Sequence, residues 1–139
     1  MYKKTLTYDI IRVRNFGGVI MKKGKVKYLV KNDDSVTEFN GECTYYDDKN
    51  IILYNEEDKT SVLLDLNNNL FSRENDEMIL VLDFNGKDSH VEMKNLQKIL
   101  PLDLDVDELR KEYNTFRVKY KLSKDNKFEF YLEWNIEGE

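Results

Sequence analysis

Over the last quarter of this chain, apolar and polar residues change places at almost every step. Phe128, Phe130, Leu132, Trp134 and Ile136 alternate with Glu129, Tyr131, Glu133 and Asn135, the period of two that a half-buried strand requires because its successive side chains point to opposite faces. Just ahead, Phe116, Val118, Tyr120 and Leu122 alternate with Arg117, Lys119 and Lys121. The polar stretch Ser123-Lys124-Asp125-Asn126 between the two runs is turn-forming. A hairpin from Thr115 to Ile136 is therefore expected. It sets a basic row against Glu129 and Glu133 on its outer face, where each opposite-charge pair contributes about 0.2–1 kcal/mol.

The same rhythm runs backwards through the chain. Met78 to Phe84 is apolar on both faces, which places it centrally in a sheet, and Asn85-Gly86 after it predicts a two-residue type I′ turn into Ser89 to Met93. Asn67-Asn68-Asn69, Asn55 to Lys59 and Asp47-Asp48-Lys49-Asn50 punctuate earlier strands. In the first third, Thr5 to Val13 reads as a strand with Leu6, Tyr8 and Ile10 on one face. Val26 to Val30 reads as another, and the apolar loop Asn15 to Gly24 between them, with Phe16, Val19, Ile20 and Met21, reads as a bend or a lid. The spacing predicts an all-β, mainly antiparallel, up-and-down meander barrel of about eight to ten strands. One stretch departs from it. Between Lys94 and Tyr113, Leu96, Ile99 and Leu100 stand at helical spacing and Asp105 with Glu108 resembles a capping box, which gives one or two short helices. Leu102, Leu104 and Val106, alternating with Asp103 and Asp105, equally suit a strand.

With 139 residues the chain is expected to be one domain over positions 1–139. Its 40% hydrophobic content is enough for a core, and nine Tyr and seven Phe beside a single Pro favour pleated surfaces. A formal charge of −5 argues against nucleic acid as a partner. The lone Cys43 excludes an internal disulfide or a multi-thiolate metal site and suits a cytoplasmic protein. No apolar run reaches the roughly 20 residues of a membrane span, and Met1 to Thr5 lead into a patterned strand with no signal-peptide core.

Few residues point to chemistry. Asp103, Asp105, Asp107 and Glu108 suggest calcium, yet an EF-hand begun at Asp103 would need Gly where Glu108 stands and Glu where Asn114 stands. His90 is the only histidine, so a histidine pair or a two-His metal site is excluded within one chain. Cys43 lacks an orienting partner for a nucleophile and reads as a small buried hydrophobe. Gly17-Gly18 lacks the spaced glycines and lysine of a phosphate loop. Lys22, Lys23, Lys25 and Lys27 with Tyr28 allow a single-strand nucleic-acid surface to be imagined, against which the solvated rim of a hairpin is the plainer reading. No catalytic residue, metal ligand or cofactor is assigned.

The rings remain. Tyr8, Phe116, Tyr120, Phe128, Phe130 and Trp134 share one side of their strands, and in a barrel of about eight strands that side is either a filled core or a pocket for one small ligand. The run Arg73 to Phe84, the hairpin into His90, Phe116 to Leu122 with its Tyr120-x-Leu122 ending, and Phe130 to Trp134 resemble the small bacterial calycin-like β-barrel proteins typified by the YwiB-like group. That resemblance implies a barrel related in shape to lipocalins and fatty-acid-binding proteins, and it carries over no catalytic residue. The expectation is a non-catalytic monomer or homodimer that holds a small apolar molecule among those six rings. An interaction module using a sheet edge or the acidic surface is the alternative.

Overall fold

The computed structural model describes residues 21–33, 35–47, 50–56, 59–86 and 88–136. The expected strand Thr5 to Val13, with Tyr8 on it, and the loop from Asn15 to Ile20 lie outside them. The final residues of that expected loop, Met21 to Gly24, are not loop but open the first strand. Eleven strands follow one another: β1 (Met21–Asn32), β2 (Ser35–Tyr46), β3 (Ile51–Asn55), β4 (Ser61–Asp65), β5 (Leu70–Glu74), β6 (Met78–Asp83), β7 (His90–Met93), β8 (Lys98–Pro101), β9 (Leu104–Glu112), β10 (Thr115–Leu122) and β11 (Asn126–Ile136).

All eleven belong to one antiparallel sheet in the order β8-β7-β6-β5-β4-β3-β2-β1-β11-β10-β9. The chain is thus an up-and-down meander, as its rhythm predicts, with somewhat more strands than expected. Its two ends meet where Val26 pairs with Trp134 and Tyr28 with Leu132. Among the described residues no ladder joins β8 to β9, so the sheet is a curled half-barrel and not a closed one. Only the linker Leu102-Asp103 crosses that gap. The Leu102 amide donates to the Ser89 carbonyl at 2.9 Å on one flank, and the Asp103 carbonyl accepts from the Ser123 amide at 2.9 Å on the other.

The curl is deep enough for strands far apart in the sheet to touch. Phe71 on β5 and Phe130 on β11 have ring centroids 5.2 Å apart, although four strands separate them in the sheet order. Phe84 reaches Tyr120 at 5.4 Å in the same way. Period two supplies the concave face: Val26 and Tyr28, Ile52 and Tyr54, Val62 and Leu64, Phe116 and Val118, Leu132 and Trp134 all turn inward and are buried.

Two local expectations change. The Lys94 to Tyr113 stretch holds no helix beyond a single 3-10 turn at Lys94–Leu96, and the extended reading prevails in β8 and β9. A helix there would have no face to bury, since Leu96 is 69% exposed and Ile99 48%. Extended, the segment gains ladder bonds, β9 to β10 and β8 to β7, and Pro101 ends β8 at the sheet margin, where the ring removes no ladder donor that is needed. The Asn85-Gly86 turn is also wider than a type I′ hairpin, because neither residue has positive φ. Paired residues stop at Val81 and His90. The Ser89 hydroxyl then accepts the Asp83 amide at 2.8 Å, and Gly86 fits against the Asp83 carboxylate, which a Cβ would meet at 2.6 Å.

Candidate functional site

The concave face is not completely filled. A cavity of about 260 Å³ remains between Leu80, Leu82 and Phe84 on one side and Tyr120, Phe128 and Phe130 on the other. Tyr120 and Phe128 stack nearly parallel, 11° apart with centroids at 5.2 Å. The polar part of the lining is small and concentrated. It consists of Tyr28, Glu56 and Arg73, with Thr37 nearby.

Strand parity explains how three polar groups reach an apolar interior. Phe71 and Arg73 are two apart on β5, so an inward Phe71 brings Arg73 to the same face. Tyr54 and Glu56 repeat the relation at the end of β3, and the Glu56 amide donates to the Thr60 carbonyl at 2.8 Å. Arg73 and Tyr54 are each register partners of Val62 on β4, on either side of it.

Within the cluster both Glu56 oxygens are engaged, three of the roughly four lone-pair sites of a carboxylate being used. Its Oε1 accepts from Arg73 Nη2 at 2.7 Å and Nε at 3.2 Å, and its Oε2 accepts from the Tyr28 hydroxyl at 2.7 Å. The Glu56 side chain is only 10% exposed against 39% for Arg73, so the guanidinium is the solvent-facing member. Burial, then the bond to Glu56, holds the Tyr28 hydroxyl well above the ordinary tyrosine range. The bond to Glu56 likewise raises Arg73. Burial pushes Tyr54 well above its usual value, and its hydroxyl has no hydrogen-bond partner among the described residues. Both tyrosines are therefore neutral hydrogen-bond donors at any physiological pH.

The groups that could do covalent or proton chemistry lie elsewhere and are tied down. Burial pushes the Cys43 thiol up to about 11, far from the thiolate a nucleophile needs. His90 is buried, and its Nδ1 lies 2.6 Å from the Asp88 carbonyl, which fixes the ring. The acidic run lies along β9, where Asp107 faces Lys121 at 3.7 Å and Glu108 faces Arg110 at 2.8 Å and Lys119 at 3.9 Å. No group of three or more metal-capable side chains exists among the described residues. Most of the β1 lysines stand near acids, Lys22 at 3.7 Å from Asp47, Lys25 opposite Glu42, Lys27 opposite Glu133 and Lys31 opposite Glu129, while Lys23 stands opposite Thr44. They do not form an uncompensated basic strip.

Of the six rings expected around a ligand, Tyr120, Phe128 and Phe130 line the cavity. Phe116 is fully buried behind that wall, 6.3 Å from Phe130, and does not face the space. Trp134 borders a separate recess of about 220 Å³ with Tyr45, Asn50 and Asn114. Tyr8 lies outside the described residues, as does the expected bend or lid apart from Met21 to Gly24, which belong to β1, where Met21 pairs with Tyr46 of β2. Tyr28, Glu56, Arg73 and Phe84 escaped the sequence reading. Their one available signal was the parity of Arg73 with Phe71.

The architecture defines an all-β, curled-sheet protein with an apolar cavity bordered by the Glu56–Arg73 ion pair, and among the described residues no helix is long and apolar enough to cross a membrane. No protein-family model matches the chain, and no curated protein matches it. Among solved structures it is similar to the YwiB protein from Bacillus subtilis, with a TM-score of 0.55 and 14% identity over 88% of this chain and 97% of that one. At such identity the likeness is one of fold, and the fold is YwiB-like.

Proposed function

We propose that this protein binds one small, largely apolar molecule in the concave cavity and does not transform it. The observation that carries the reading is the unfilled space itself, about 260 Å³ among Leu80, Leu82, Tyr120 and Phe128 in a sheet whose interior is otherwise packed. The space is a recess open on one side, and a recess walled by rings with a few convergent polar groups has the make-up of a small-molecule site. At about 260 Å³ it is slightly below the roughly 300–1,000 Å³ usual for such sites, so the occupant must be small. Among the described residues, the tyrosine that lines it is held protonated and the one thiol is raised by burial, which favours binding over catalysis.

The test is a thermal-shift and calorimetric screen of small aromatic and aliphatic molecules against the wild type and a cavity-filling variant, Leu80→Phe. A ligand that raises the wild-type melting temperature and loses its effect in L80F supports the reading. A screen in which no compound stabilises the wild type, or one in which L80F binds equally well, overturns it.

A further inference from the structure

The hydrogen-bond inventory of the cluster is unbalanced, and the imbalance has a sign. A guanidinium carries five N–H donors, and Glu56 Oε1 takes one from Nε and one from Nη2. The other three N–H groups of Arg73 have no acceptor among the described residues. The Tyr54 hydroxyl is also buried without a partner, but it does not line the cavity and could donate or accept, so the surplus of donors facing the cavity rests on Arg73. On the acceptor side, both Glu56 oxygens are already engaged, the second by Tyr28. Glu56 also occupies the Nε edge of the fork, which leaves the Nη1–Nη2 edge, the other edge able to hold a carboxylate by two parallel bonds. The Arg73 side chain is 39% exposed and lines the cavity, so the ligand is placed on that free edge.

We infer that the ligand is a small carboxylate with an apolar body, an aryl or short-chain acid, whose carboxylate sits on the Nη1–Nη2 edge of Arg73 while its body lies against Phe128, Phe130 and Leu82. The inference rests on the ligand-binding reading above. Size narrows the class: 260 Å³ encloses roughly nine water-sized groups at about 30 Å³ each, the scale of benzoate, whereas most of a long-chain fatty acid would lie outside the recess.

Calorimetry on the full chain with benzoate, benzyl alcohol and hexadecanoate tests it. Benzoate is expected to bind at least tenfold tighter than the neutral alcohol, the increment of one charge-assisted fork, and hexadecanoate more weakly than benzoate. Glu56→Gln removes the competing negative charge and keeps Arg73, so it tightens benzoate and leaves benzyl alcohol unchanged. Arg73→Met alone strands Glu56. The double variant E56Q/R73M removes both charges, and with its fold checked by circular dichroism it loses the preference for the acid. Equal binding of acid and alcohol, or a preference that survives in E56Q/R73M, overturns the carboxylate and leaves ligand binding standing. If none of the three binds, the carboxylate inference falls, and the broader screen decides the fate of the cavity reading.

Discussion

Two tyrosines stand side by side in the interior, 5.8 Å between ring centroids, and differ in one respect that a single-atom deletion can read. Tyr28 donates its hydroxyl to Glu56 at 2.7 Å, whereas the Tyr54 hydroxyl, on a residue only 2% exposed, donates to nothing described. Replacing either by Phe keeps the ring. The contacts of Tyr28 with Phe39 and Phe130, at 5.5 and 5.9 Å, survive, so the measured difference belongs to the hydroxyl. A hydrogen bond to a charged group contributes about 1.5–3 kcal/mol, and Tyr28→Phe should lose that amount because it also leaves a largely buried carboxylate oxygen unpaired. Tyr54→Phe runs the other way. Its hydroxyl gives up water on folding without a replacement, a cost of about 1–3 kcal/mol that the variant recovers in part. The two variants should thus differ by at least about 2 kcal/mol out of a total stability of roughly 5–15 kcal/mol. With a urea m-value near 2 kcal/mol/M, that is a separation of about 1 M in midpoint at unchanged slope. Equilibrium urea unfolding at pH 7 provides the measurement. If Y54F is destabilised as much as Y28F, the Tyr54 hydroxyl is bonded after all and the contrast between the two hydroxyls does not exist.

Phe116→Ala, at a fully buried position facing Phe84 and Phe130, should cost about 3–5 kcal/mol by denaturant unfolding; a loss under 1 kcal/mol would mean the concave core is loosely packed. Gly24→Ala should cost about 1–3 kcal/mol, because its Cβ would collide with the Asn135 backbone carbonyl where β1 pairs β11, and amide exchange should rise along that seam; unchanged protection there would show that the strands can part without penalty. Stability should also fall in alkali. The folded state raises Tyr28, Tyr54, Tyr120 (to about 12) and Cys43 (to about 11), whereas the unfolded chain loses these protons near pH 8.5–10. The unfolded state then binds fewer protons, so the stabilisation is complete below about pH 8.5 and is lost as pH rises from there towards 12. Urea midpoints that stay flat from pH 8 to 11 would contradict it. Trp134, 7% exposed and outside the interior cavity, should resist acrylamide quenching in the native state and should not change its emission when a cavity ligand binds.

The hairpin Thr115 to Ile136 was legible in full because period two, turn residues and cross-strand charge all agree there. Even so, Arg117 reaches Glu129 diagonally, at 2.8 Å from Nε, while Lys119 and Lys121 turn to Glu108 and Asp107 on β9. The charge rows foretold attraction between faces and not which partner each cation takes, since that partner stood on a strand read equally well as a helix. Leu96, Ile99 and Leu100 show why that choice was closed to sequence reasoning. Helical spacing signals a helix only when another element buries the marked face, and here those side chains stay largely exposed while the backbone takes the ladder bonds. The Asp107 bulge on β9 adds to the difficulty. Glu108 lies opposite Lys119 and Val106 opposite Tyr120, so the inward positions shift from Leu104 and Val106 to Leu109 and Lys111, and the alternation breaks in mid-strand.

The site was harder to read than the fold for a reason of the same kind. Aromatic residues announce an inward face but not whether the face is filled, and Phe116, Phe130 and Trp134 look alike in sequence although one stands behind the wall, one lines the cavity and one borders a different recess. What separates them is curvature, which brings Phe71 and Phe130 together from strands far apart in the sheet and leaves a gap beside them. Polar residues carried more information than the rings. An arginine two places after an inward phenylalanine is costly unless it is paired, since burial of a charge must be compensated by a counter-charge and hydrogen bonds. Arg73 at that position demanded an acid on the concave side, and Glu56 answers it across 2.7 Å. In a curled sheet of this kind, the charged residue with the wrong parity marks the cavity more sharply than the rings that surround it.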